Sequence, residues 1–231
     1  MDFIVEGFVQ GIGLILSMDE ETSNIVLTTL QLTGLSMVGI LALGLPLGFA
    51  LGYFEFPGKR IVRTAADTLL SIPTVVVGLL VYAFICRSGP LGDLELLFSI
   101  KGMAIGQLIL GLPIVISYTA SAIEGLDNRL ALTLKTLGAS GTKLALTSLW
   151  EGRFLLLAAA LTSYGRIIGE VGSAMMLGGN IKWHTRTITT AITLETGKGD
   201  FALGIALGVI LLAISLALNI ALSFLRRRAS N

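Results

Sequence analysis

The chain has 231 residues, of which 54% are hydrophobic and only 13% charged, with a net charge of +1 and a mean hydropathy of +0.86. Soluble domains carry about 25% charged residues, so composition puts this chain in a lipid bilayer, and its near-zero net charge offers no field for nucleic acid. One cysteine (Cys86) excludes an internal disulfide, and one histidine (His184) excludes a His cluster, so no metal site is expected.

In chain order, residues 3–17 are apolar but short and carry Glu6. They read as a short N-terminal interfacial or partly inserted helix, with a sixth span as the alternative. No cleavable signal peptide is expected, because Asp2 and Glu6 stand where a positive n-region belongs. Five later segments are long enough to cross about 30 Å of hydrocarbon: 25–54, 61–85, 103–123, 154–177 and 201–225. Pro46 is a kink point in the first, and Pro73 and Pro113 are break points in the second and third. Gly44, Gly48 and Gly52 recur four apart, as do Gly165 and Gly169, and Gly204 and Gly208, a spacing that lets helices approach closely.

Orientation follows from the basic residues. With the segment before the first long span outside, the inner stretches hold Lys59, Arg60, Arg63, Arg129, Lys135, Lys143, Arg153, Arg226, Arg227 and Arg228. The outer ones hold only Arg87, Lys101, Lys182, Arg186 and Lys198. The positive-inside rule then places the C-terminus in the cytoplasm.

The longest inner segment is 124–153. Leu126, Leu130, Leu134 and Leu137 recur at helical spacing, Gly138-Ala139-Ser140-Gly141 interrupts them, and Leu144, Leu146 and Leu149 resume. The pattern predicts a helix-turn-helix with Lys135 and Lys143 flanking the turn. Its apolar surface either docks a partner or folds back on the protein's own inner face.

Inside the fourth span, Arg166 and Glu170 stand four residues apart among apolar neighbours. A charge at bilayer depth costs about 2.5 kcal/mol or more. The two side chains either line a path, Glu170 offsetting the pull of Arg166 on a passing anion, or form a buried pair that holds helices together. Arg63 and Asp67 repeat the spacing near the inner interface, where a structural role is the better reading. Ser117, Tyr118, Thr119 and Ser121 either face a pathway or cap backbone. Gly178-Gly179-Asn180 ends the fourth span. After it, 185–195 predicts a short helix dipping toward a mouth made positive by Lys182, His184 and Arg186, or else a polar loop anchored by Trp183.

Several runs resemble a known family. Leu137-Gly138-Ala139-Ser140 matches the centre of the cytoplasmic helix-turn-helix of ABC importer permeases, although Leu132-Thr133-Leu134 and Trp150-Glu151 replace the flanking Glu-Ala-Ala and Leu-Pro. The run 165–172, followed by Met175-Met176-Leu177-Gly178-Gly179-Asn180-Ile181, is similar to the molybdate, tungstate and sulfate branch. Residues 70–79, Thr185-Arg186, 189–192 and 194–200 look most like the tungstate-type members.

The resemblance implies an all-α integral membrane protein with about five transmembrane helices. It implies a single permease domain, 25–225, between an N-terminal segment, 1–24, and a basic cytoplasmic tail, 226–231. It further implies a permease subunit of an ATP-driven oxyanion importer, tungstate first and molybdate or sulfate as alternatives, working by alternating access in a bacterial or archaeal cytoplasmic membrane. The implied partners are a second copy of the chain, two cytoplasmic ATPase subunits and an extracytoplasmic oxyanion-binding protein. The implied ATPase-coupling residues are Lys135, Leu137, Gly138, Ala139, Ser140 and Lys143. The implied path or gate comprises Arg166, Gly169, Glu170, Gly172, Met175 and Met176, and the outer mouth Gly178, Gly179, Asn180 and Arg186.

No cofactor is expected on the chain. Gly197-Lys198-Gly199 lacks the upstream Gly and the following Ser or Thr of a phosphate loop, so ATP and Mg belong to the partner ATPase. A self-sufficient secondary carrier fits the charge pair, but no internal repeat supports it. An intramembrane enzyme lacks a nucleophile–base or metal constellation.

Overall fold

The computed structural model describes residues 8, 9, 12–14, 16, 17, 19–126 and 141–229. All regular structure among them is helical, with no strand. The first long helix, α1 (Glu20–Tyr53), is capped by Asp19, whose carboxylate accepts from the Thr22 amide at 3.0 Å. At 1.5 Å per residue its 34 residues extend about 51 Å, more than the hydrocarbon requires. Its polarity is inverted relative to a soluble helix. Leu27, Leu35, Val38 and Leu47 are exposed, while Thr29, Thr33, Ser36, Gly44 and Gly48 are buried against protein. The buried hydroxyls of Thr29 and Thr33 are satisfied by carbonyls one turn back, each at 2.8 Å.

The second predicted span is not one helix. It is α2 (Lys59–Leu69) and α3 (Thr74–Ile85), bent by 98° at the break. Pro73 supplies the reason: it has no amide to donate and pushes Ile72 out of helical geometry. Pro113 does not act that way. It lies buried inside an unbroken α4 (Ile100–Glu124), packed between α1 and the later helices, which correct the expected break.

After α5 (Gly141–Glu151), the fourth predicted span is also interrupted. It is α6 (Arg153–Ile168) and α7 (Gly172–Gly178), bent by 62°. Two further helices follow, α8 (Ile188–Lys198) and α9 (Phe201–Ala229). Among the described residues, three helices, α1, α4 and α9, are each long and apolar enough to cross a membrane, and counting each bent pair as one span raises the number to five.

The first arm and turn of the predicted cytoplasmic hairpin, with Lys135, Leu137, Gly138, Ala139 and Ser140, lie outside the described residues. Its second arm is α5, on which Lys143, Leu146 and Trp150 are exposed and Leu144 is buried. Of the three glycine pairings, only the first makes a tight seam. A Cβ on Gly48 would lie 2.7 Å from Thr119 Cβ and 2.8 Å from the Ile116 carbonyl on α4. Gly165 and Gly208 meet nothing within 4 Å inside the single chain.

Candidate functional site

The site is built where the two interrupted spans meet. A Cβ on Gly172, at the start of α7, would come within 2.9 Å of Val75 and 3.3 Å of the Thr74 hydroxyl, at the start of α3. One turn on, a Cβ on Gly78 would lie 2.9 Å from Ser173 Cα and 3.1 Å from Met176 Sδ. Each break thus packs on the other through a glycine.

Interrupting a helix in a membrane frees backbone groups that must find partners inside the protein. Here side chains supply them. Gln107 on α4 donates to the Ile167 carbonyl at 3.2 Å, and Ser36 on α1 donates to Gln107 Oε1 at 2.8 Å. Thr189 on α8 donates to the Glu170 carbonyl at 2.7 Å. The Ser173 amide donates to Glu170 Oε1 at 3.0 Å, so this carboxylate occupies the start of α7 where an anion is favoured.

Arg166 Nη1 stands 3.2 Å from Glu170 Oε2. The two partners differ in setting: the Glu170 side chain is 3% exposed and that of Arg166 42%. Glu170 is therefore a structural acceptor held at the break, whereas Arg166 keeps donors turned outward. Arg166 is 13 residues beyond Arg153, about 20 Å along the span, which is close to mid-bilayer. Gly165 and Gly169 are exposed beside it, and Met175 and Met176 are half-buried.

The outer residues are arranged differently from expectation. Gly179 and Asn180 adopt positive φ (66° and 51°) and turn the chain, and Asn180 Nδ2 donates to the Thr190 carbonyl at 3.2 Å. Gly178 is buried against Met103, and its carbonyl accepts from the Thr185 hydroxyl. Arg186 is buried and sits between Glu21 at 3.0 Å and Glu195 at 3.4 Å. Lys182 pairs with Glu21 at 2.7 Å and Lys198 with Glu195 at 3.0 Å. Two carboxylates thus pair with three cations, Lys182 and Arg186 of the expected positive mouth among them, and the network ties α1 to α8. The short helix predicted over 185–195 is α8, shifted to Ile188–Lys198, and its first turn is closed by a Thr187–Thr190 capping box.

At the end of the bundle expected to face inward, α2 runs along α4. Asp67 accepts from Ser117 at 2.7 Å and lies 3.4 Å from Arg63, Arg63 donates to Ser121, and Lys59 lies 3.4 Å from Glu124. Ser117 and Ser121 therefore join helices here. Gln107 was not singled out from sequence, and Glu21, Glu195 and Thr189 were given no role of their own. The available signal was that each is a polar residue inside, or at the edge of, an apolar segment.

Among the described residues, no group of three or more His, Cys, Asp or Glu side chains is placed to hold a metal ion. Interrupted spans joined through glycines, with polar side chains turned inward, define a polytopic membrane protein built around broken helices. The chain belongs to the family of binding-protein-dependent transport system inner membrane components, which matches residues 44–231. It is 48% identical to the tungstate uptake system permease protein of Campylobacter jejuni over 89% of this chain and 86% of that one. It is 34% identical to the namesake protein of Peptoclostridium acidaminophilum, over 89% and 90%. It is 43% identical to a probable anion ABC transporter permease of Haloferax volcanii, over 71% and 73%. The fold is similar to that of a chain in an inward-facing MetNI methionine ABC transporter, with a TM-score of 0.74 at 17% identity, covering 93% of this chain and 99% of that one.

Proposed function

We propose that the chain is the membrane-spanning permease subunit of an ATP-driven oxyanion importer, with tungstate as its cargo. The observation that carries this reading is the 48% identity, over nearly the whole of both chains, to a tungstate uptake permease. The geometry agrees with it. Arg166 presents unshielded donors near mid-bilayer, where lipid contact is too costly, so it faces a water-filled path or a second protein surface. Both fit two copies enclosing a path along the α6–α7 break, with Arg166, Gly169, Glu170, Gly172, Met175 and Met176 at that break. Gly178, Gly179, Asn180 and Arg186 then shape the outer mouth, Arg186 as a buried tie and not as a bait for the anion.

ATP is bound and hydrolysed, with Mg, by two cytoplasmic ATPase subunits. They dock on the 124–153 hairpin through Lys135, Leu137, Gly138, Ala139, Ser140 and Lys143. The exposure of Leu146 (62%) and Trp150 (69%) beside Lys143 supports a partner there. An extracytoplasmic binding protein delivers the anion, 25–225 acts as one permease domain, and the 226–231 tail lies in the cytoplasm, as the arginines ending α9 favour.

The test is reconstitution in vesicles with the ATPase subunit and binding protein preloaded with tungstate, molybdate or sulfate. ATPase stimulation and uptake are expected to be strongest with tungstate. Equal stimulation by sulfate would remove the tungstate assignment, and no stimulation by any anion would remove the importer reading.

A further inference from the structure

The cytoplasmic end of the bundle carries a cleft that the outer network does not use and that reaches up α6 to Thr162, one turn before Arg166. It has a volume of about 460 Å³ and lies between α4, α6 and α9, with Tyr118, Ala122, Leu155, Ala158, Thr162 and Arg226 among its walls. That volume falls within the range of about 300–1,000 Å³ typical of ligand sites. The cleft exists because α9 packs on α6 and α8, while at its inner end it stands off from α4.

The lining has two chemically distinct ends. The walls are mostly apolar: Ala122 and Ala158 are buried hydrocarbon, Leu155 is exposed hydrocarbon near the mouth, and the Thr162 hydroxyl is turned away to the Ala158 carbonyl at 2.8 Å. Ser121, also on the wall, is already engaged by Arg63. Arg226 stands at the rim, where it opens the Arg226-Arg227-Arg228 run in the last turn of α9. Neither the Arg226 guanidinium nor the Tyr118 hydroxyl has a hydrogen-bond or ion-pair partner among the described residues. The nearby Arg153 is taken up by the rings of Trp150 and Phe154, at 4.9 and 4.5 Å.

Depths along the helices match half a bilayer. Thr162 is nine residues above Arg153, about 14 Å into the membrane, and Tyr118 is six residues above Glu124, about 9 Å. A free anion would use Arg226 and leave the apolar walls uncovered. A neutral chain would cover the walls and leave the arginine unmatched. An anionic headgroup carrying an acyl chain satisfies both, and such lipids gather at basic sites on the cytoplasmic leaflet.

We propose that the cleft between α4, α6 and α9 binds an anionic phospholipid of the inner leaflet. Its phosphate lies on Arg226, its ester region is within reach of Tyr118, and one acyl chain runs along Ala122, Ala158 and Thr162.

The test uses the full chain purified with its ATPase subunit. Native mass spectrometry and thermal unfolding are followed with phosphatidylglycerol, phosphatidylcholine or glycerol-3-phosphate. Phosphatidylglycerol is expected to be retained and to stabilise. Arg226→Ala should weaken it about fivefold, the equivalent of one arginine's attraction to an anionic surface, and leave phosphatidylcholine unaffected. Thr162→Trp, which fills the deep end, should abolish retention. If that variant does not fold, Arg226→Ala at the exposed rim decides alone. Phosphatidylcholine binding as well as phosphatidylglycerol would overturn the proposal. So would full competition by glycerol-3-phosphate, or unchanged phosphatidylglycerol retention in Arg226→Ala. Loss of self-association in Thr162→Trp without any change in lipid would instead assign the cleft to a second copy.

Discussion

Arg166 and Glu170 form one ion pair but carry different loads. Glu170 is buried, accepts from the Ser173 amide and from Arg166, and thereby stabilises the start of α7. Hydrogen bonds to a charged group are worth about 1.5–3 kcal/mol. Glu170→Ala should therefore lower the stability of the purified protein by about 2 kcal/mol, seen as a lower unfolding midpoint in detergent. Arg166 is half-exposed, so less stability rides on it than on Glu170, and under the proposed function it is the cation that a passing dianion meets. Focused charge in a cleft raises anion capture by about 10- to 1,000-fold. Arg166→Ala leaves Glu170 its bond from the Ser173 amide but removes its cation, so it should lower the midpoint less than Glu170→Ala does and lose uptake by about tenfold or more. An Arg166→Ala protein that unfolds earlier than Glu170→Ala, or an unchanged midpoint in Glu170→Ala, would reverse these roles.

Among the elements, the contact between α1 and α4 is the tightest, because glycine lets the two backbones approach. At Gly48 an added methyl would meet the backbone oxygen of Ile116 at 2.8 Å, which no rotamer change relieves. Gly34 on the same helix is exposed and meets nothing within 4 Å. Gly48→Ala should cost about 1–3 kcal/mol, while Gly34→Ala should leave the thermal midpoint unchanged. Equal effects at both positions would mean that the seam is not what holds these helices. The Gly44-Gly48-Gly52 spacing made this contact legible in the sequence, as hydropathy did for the five apolar segments. Hydropathy reports how much oil a segment matches and says nothing of whether its backbone is continuous. Pro73 announced one break in covalent terms. The break at 168–171 had no such marker, because what stabilises it comes from afar: Gln107 on α4, Thr189 on α8 and the carboxylate of Glu170 itself. The pairing of Arg186 was hidden for the same reason, since Glu21 is 165 residues away.

On the scale of the molecule, the distribution of polarity decides which surfaces meet lipid. The exposed stripe Leu212, Leu216, Ile220 and Phe224 on α9, and Leu27, Leu35 and Val38 on α1, match hydrocarbon. The face formed by Gly165, Arg166 and Gly169 does not: it is exposed, it lacks apolar side chains, and it carries a charge near mid-bilayer. A guanidinium facing lipid at that depth costs about 2.5 kcal/mol or more, so protein or water must cover this face. If two copies enclose a path there, a cysteine on that face is reached from water and lies near its counterpart. In a Cys86→Ser background, Gly165→Cys should react with a charged, water-soluble thiol reagent, and a bifunctional thiol reagent should join two chains. Gly34→Cys, on the lipid-facing side of α1, should do neither. A Gly165→Cys chain as inert as the Gly34→Cys control would place α6 against lipid, and the path along the α6–α7 break would have to be moved elsewhere in the molecule.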